Sequence, residues 1–254
     1  MRRLFILFFV LSVLMPCTSC RKEAPIGPST TVVVSFKAVY GDKPFSAEGL
    51  YAYPSTGSST EIIQFDDVSL FLTDISLVTA NGEDEVSLDD LEYWDITALQ
   101  DNSSHTEKAL EKAYYSVPLG DYTGISFGVG VGHEANSQKP SDFAAGSPLG
   151  AAERYSSEFG SYVFDKTKGQ YSANGTTTPF EINILKDEHY KKVVLQKDFT
   201  ITSSGGSLNV ILDLKKVFQR NDSIMDLPAH PIVTNPGSPY MDWVSENLQH
   251  SFSF

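Results

Sequence analysis

The sequence predicts an all-β fold, an Ig-like or Greek-key β-sandwich with long loops and a short C-terminal helix. Three features carry that expectation. Aromatic residues make up 12% of the chain, with 16 Phe and 12 Tyr beside abundant Val, Thr and Ser, a composition suited to half-buried strands. Short stretches of alternating apolar and polar residues recur, separated by Gly, Pro, Asn and Asp. The regular strand–helix alternation that builds parallel sheets is missing.

The first segment reads as an export signal rather than as part of the fold. Arg2 and Arg3 are followed by an apolar run over residues 4–15 in which Ser12 is the one polar residue. That run is too short for a stable membrane-spanning helix and has the length of a signal h-region. Thr18 and Ser19 place small side chains ahead of Cys20, which predicts a lipoprotein signal peptide over residues 1–19 and a lipidated Cys20. Cys17 competes less well, because Pro16 precedes it. An ordinary secretory cleavage near Ser19 is the alternative. Once Cys17 leaves and Cys20 is acylated, no thiol, disulfide or cysteine metal site remains. Several acyl chains on one residue anchor stably without a membrane helix, so the expected partner is a membrane, and the expected place is the outer membrane. Residues 20–30, with two Pro and a Gly, form a flexible tether; residues 31–254 form one domain.

Within the domain, residues 32–40 alternate, with Val32, Val34, Phe36, Ala38 and Tyr40 on one face, a half-buried strand. Residues 54–59 form a turn-rich loop, and residues 61–65 and 68–79 read as two strands, the second closed by an Asn81-Gly82 turn. Residues 91–96 are a short aromatic segment. Residues 104–113 carry the one helical pattern of the first half, with Leu110 and Ala113 on one side and Ser104 or Thr106 as N-cap. Strand character returns over 113–118 and 122–131. In the latter, Gly128, Gly130 and Gly132 share a face, leaving room for a backbone or an aromatic ring to approach. Residues 132–155 are a long polar loop, of the kind that is usually functional or mobile. Further strands are expected at 161–166, 180–185, 193–202 and 207–214. A hairpin-like loop at 166–179, rich in Gly, Asn and Thr, and a Gly205-Gly206 turn separate them, and a helix is expected over 240–250.

The formal charge is −13, and loss of Arg2 and Arg3 makes it −15. Such a surface repels nucleic acid and anionic lipid headgroups. The nucleophile-elbow, phosphate-loop and zinc-protease motifs are absent, and no acid–base pair is identifiable from spacing, so a non-catalytic role is expected. Acidic runs at Asp66-Asp67, Glu83-Asp84-Glu85 and Asp89-Asp90 lack calcium-loop spacing and read as solvated loops. The histidines have no ligand spacing along the chain. A metal would have to be assembled from separate loops, with His133 at the head of the long loop first in line, then His189 and His230, and Met225 and Met241 as soft auxiliaries. Tyr51, Tyr53, Tyr155 and Tyr171, if exposed on loops, would suit stacking on a glycan or a protein partner.

Several segments, taken in order, resemble the MbnP-like family, the methanobactin-associated copper-binding proteins and their exported relatives. They are the opening strand Val32-Val33-Val34-Ser35-Phe36, the stretch from Phe65 to Leu77, and Gly120-Asp121-Tyr122-Thr123-Gly124-Ile125-Ser126-Phe127-Gly128-Val129-Gly130-Val131. Asn136, Pro148-Leu149, Tyr162-Val163-Phe164, Gly169, Pro179-Phe180 and Leu212-Asp213-Leu214 through Phe218 follow in the family's order. The resemblance implies a β-sandwich outside the cytoplasm and, in some members, copper held by histidine and a tryptophan oxidised to kynurenine. Where relatives carry tryptophans, this chain has Tyr155-Ser156-Ser157-Glu158-Phe159-Gly160-Ser161. Where they carry a histidine, it has Asn183. The resemblance therefore implies the fold with a degenerate copper site. Copper bound by a rearranged His/Met set is the competing expectation.

Overall fold

The structure is a computed structural model and describes residues 27–54, 61–81 and 84–254. The signal peptide, Cys20 and most of the tether lie outside the described residues, as does Gly82 of the expected turn. Nine long strands carry the architecture: β1 (Ser29–Tyr40), β2 (Ile62–Thr79), β3 (Glu85–Asp95), β4 (Leu110–Pro118), β5 (Gly120–Val129), β6 (Ser161–Ala173), β7 (Thr176–Leu185), β8 (Lys191–Ile201) and β9 (Gly206–Asp213). Four short helices join them: α1 (Ile96–Leu99), α2 (His133–Asn136), α3 (Leu214–Val217) and α4 (Pro239–His250).

Two sheets face each other. In the first, β1 lies between antiparallel β4 and parallel β9, so the first and last long strands are hydrogen-bonded neighbours. The alternation read in β1 is a burial pattern, since Val32, Val34, Phe36, Ala38 and Tyr40 are each 3% exposed or less. The second sheet has the order β8-β5-β2-β6-β7, with β3 on the other edge of β2. Phe36 reaches across from the first sheet and meets Phe127 edge-on at 5.4 Å and Trp94 at 6.0 Å, which closes the sandwich core.

β2 organises the second sheet. What reads in sequence as two strands is one strand of 18 residues. Its first half, Ile62 to Leu70, pairs with β6, and its second half, Leu72 to Thr79, pairs with β5. Ser69 and Leu70 pair with β3 and β6 at once, so β5 and β6 occupy successive halves of the same edge and part company near Phe71. A bulge follows at Asp74, whose φ of 50° is left-handed, and it aims the Asp74 side chain outward from the bent strand.

One local expectation is corrected and another is extended. Residues 104–113 form a turn and then the start of β4, because Leu110 and Ala113 take positions opposite Phe36 and Val33 of β1. Sheet pairing there overrides a weak helical periodicity. The hairpin-like character of residues 166–179 is realised as a true β6–β7 hairpin whose arms are paired strands rather than loop, closed by Asn174 and Gly175, both at positive φ. The glycine face of β5 is used in part. A Cβ at Gly128 would lie 1.9 Å from the Tyr190 hydroxyl oxygen, and one at Gly130 would lie 2.6 Å from the Phe164 ring, whereas Gly132 has open space.

Candidate functional site

The parting of β5 and β6 leaves a wedge on the edge of β2, and the 130–160 connection fills it. Gly130 still donates to the Phe71 carbonyl at 3.0 Å, and α2 begins three residues later. Asn136, at the end of α2, is 4% exposed and closes the wedge. Its Oδ1 accepts from the Tyr162 amide at 2.8 Å and from Ser161 Oγ at 3.1 Å, and its Nδ2 donates to Asp187 Oδ1 at 2.6 Å. Ser161 Oγ in turn accepts from the Lys186 amide at 2.9 Å. The start of β6 and the β7–β8 connection are thus tied to α2 through side chains.

His133 is the outer end of this chain. Its Nδ1 bonds Asp187 Oδ2, and its side chain is 84% exposed. Asp187 as acceptor fixes the proton on Nδ1, so Nε2 points to solvent. The hydrogen bond and the charge of Asp187 raise the His133 pKa. Burial acts to raise Asp187, but the bonds from His133 and Asn136 outweigh it and hold the carboxyl below the usual range. His133 lines a groove of about 420 Å³ with Asp74, Asp90, Glu134, Leu91 and Leu149. Across the Asp74 bulge lies a second depression of about 420 Å³. There the Tyr190 hydroxyl lies 3.3 Å from Thr73 Oγ1 and 3.4 Å from Asp74 Oδ2. Lys192 Nζ donates to Glu85 at 2.8 Å and holds that carboxyl below its usual range.

The structure places the three candidate histidines with three different partners. His189 is 2% exposed, with Nε2 donating to the Pro236 carbonyl at 3.2 Å and Nδ1 facing Asp242 Oδ1 at 3.2 Å. That contact has ion-pair distance without hydrogen-bond alignment, and Nδ1 has no hydrogen-bond partner. His230 lies against the Tyr240 ring, with centroids 3.9 Å apart. Among the described residues, no three His, Cys, Asp or Glu side chains are grouped as a metal ion requires. Met225 and Met241 are core residues at 2% and 0% exposure. Trp94 is fully buried in the sandwich, Phe159 packs against the core, and Asn183 donates to Glu181 at 2.8 Å.

The aromatic platform expected on loops is also revised. Tyr51, Tyr53 and Tyr171 are 3%, 6% and 5% exposed, locked into ring contacts with Tyr40, Phe218 and each other. Of the four, Tyr155 alone is half-exposed, and it packs edge-on against Tyr162 at 5.1 Å. Sequence reasoning did not single out Asp187 or Asp74. Nothing local marks Asp187, and the positive φ at Asp74 has no glycine to announce it.

Comparison with known proteins adds the following. The family model described as MbnP matches residues 29–235. Among solved structures, MbnP from Methylosinus trichosporium superposes with a TM-score of 0.55 at 15% identity, covering 85% of this chain and 87% of that one, a likeness of fold. No curated protein matches the chain. With the family model spanning nearly the whole described domain, the chain belongs to the MbnP family.

Proposed function

We propose that this protein is a non-catalytic, lipid-anchored envelope protein of the outer membrane whose MbnP-like domain has a degenerate copper site. One observation carries the reading: His133, His189 and His230 are engaged separately, by Asp187, by Pro236 with Asp242, and by the Tyr240 ring. A metal site needs donors converging on one point with the remaining ring nitrogens supported. Here Asp187 supports His133, and among the described residues no three His, Cys, Asp or Glu side chains are grouped as a metal requires. The signal at residues 1–19 and Cys20 supply the anchor.

The test is titration of the purified protein with Cu(I) against a competing chelator. The expected result is no stoichiometric binding that survives the chelator. Tight one-to-one binding abolished by His133→Ala would overturn the reading and restore a rearranged copper site. A glycan- or protein-binding role keeps only Tyr155 of its four stacking tyrosines, because Tyr51, Tyr53 and Tyr171 are buried.

A further inference from the structure

The topology bears on how an anchored domain would stand on its membrane. β1 enters the fold at Ser29, and the Leu119 amide donates to the Pro28 carbonyl at 3.1 Å. The crossover from β4 to β5 therefore sits beside the point of entry. The turn from β8 to β9 sits there as well, since β9 runs parallel to β1 and Val32 pairs with Gly206. The end of β2 joins them through Thr79 and Tyr122. One pole thus collects the point of entry, the β4–β5 and β8–β9 crossovers between the sheets and the end of β2. The opposite extreme is the β6–β7 hairpin, because Ser172 pairs with Ile62 at the far end of β2.

We propose that the entry pole faces the lipid surface and that the β6–β7 hairpin is held away from it; this rests on the lipid anchor at Cys20. The argument is one of reach. Residues 20–28 separate the anchor from β1, and that stretch spans about 30 Å when fully extended. β2 alone, over its 18 residues, separates the two poles by roughly 50 Å. An inverted domain, hairpin down, would put Ser29 beyond the reach of the tether. The chemistry of the entry pole agrees with a surface that stays outside the bilayer. It presents Asp84, Asp121 and Asp198, with Lys197 among them and the hydroxyls of Thr200, Thr202 and Ser203; Tyr115, beside the Tyr114 that pairs with Val32, is the one large exposed ring near it among the described residues. Carboxylates in that position are repelled by anionic headgroups, so the tether sets the distance rather than adhesion of the pole.

Energy transfer in reconstituted vesicles tests this. The full lipidated chain carries a donor dye on Ser203→Cys at the entry pole or on Thr176→Cys at the hairpin, both exposed positions, and the vesicles carry a headgroup acceptor. Transfer is expected to be several-fold stronger from position 203 than from 176. Equal or stronger transfer from 176 in anchored protein overturns the orientation and leaves the anchor standing. Full vesicle association of a Cys20→Ala chain overturns the anchor, and the orientation with it.

Discussion

Asp165 offers the sharpest test of how this fold is held together. It sits in β6 opposite Leu70 of β2 and Ile184 of β7, is 2% exposed, and accepts from Thr167 Oγ1 at 3.1 Å. Burial, with the charge of Asp67 adding to it, raises its pKa from 3.8 to about 7, against the smaller lowering effect of the Thr167 bond. The folded state therefore holds this proton more tightly than the unfolded chain does. Its contribution to stability is full below the unfolded value and is lost as pH rises through about 7. A shift of that size corresponds to roughly 4 kcal/mol between the two ends of the window. Asp165→Asn keeps the shape and removes the charge. The variant is expected to be more stable than the parent above pH 7, by on the order of 2–4 kcal/mol, with the gap closing towards pH 4. Urea unfolding of both proteins at several pH values reads the difference directly, and the other carboxylates cancel in the comparison. A difference that does not change with pH would refute the claim that a buried, reluctantly ionised Asp165 is the cause.

Three further outcomes follow from particular contacts. Gly128→Ala should lower stability by about 1–3 kcal/mol, because the new methyl meets both the Tyr190 hydroxyl and Thr73 Oγ1; thermal denaturation measures it, and Tyr190→Phe in the same background should recover part of the loss. Gln100 is fully buried, accepts from the Ala38 amide at 3.1 Å, and donates to the Ala38 and Thr106 carbonyls at 3.0 and 2.9 Å. Gln100→Ala leaves those backbone groups unpaired and should cost at least about 2 kcal/mol in chemical unfolding. In Asp187→Asn, the His133 ring should titrate at a lower pH than in the parent when followed by NMR, since the charge and the acceptor that raise its pKa are both weakened; an unmoved titration would contradict the pairing.

The sandwich was legible because its signals are local and repeated. β1 shows this best: five alternating residues are apolar in sequence, and the same five are buried. The C-terminal helix was legible for a similar reason, since Tyr240, Trp243, Val244 and Leu248 recur at roughly helical spacing; Val244 and Leu248 are buried, Met241 joins them, and Ser238 caps the helix. The failures are non-local. Residues 104–113 pattern as a helix, but the open edge of β1 recruits them as a strand. The β6–β7 arms are polar and rich in Thr, Lys and Gly, so their pairing leaves little apolar alternation to read. At the candidate site, His133 was visible from its place at a strand end. Its partner Asp187 stands 54 positions away and is brought near by the β5–β8 pairing, which no spacing in the sequence encodes.

The branch in β2 explains why the Asn136 network exists at all. When β5 and β6 leave the same strand edge in succession, backbone groups near the parting lose their ladder partners. The Tyr162 and Lys186 amides are two such groups, and both donate to the Asn136–Ser161 side chains instead. Unpaired buried amides are costly, so Asn136, Ser161 and Asp187 have sufficient reason to be there as parts of the fold. His133 differs from them, because it lies outside the wedge, its ring is mostly in solvent, and no backbone group depends on it. A network shaped by a metal would be organised outward, with several donors converging on the exposed end. This one is organised inward, with its bonds concentrated on Asn136 and a single imidazole at the rim. That distribution accounts for a domain that keeps the family's fold while its histidines stay apart.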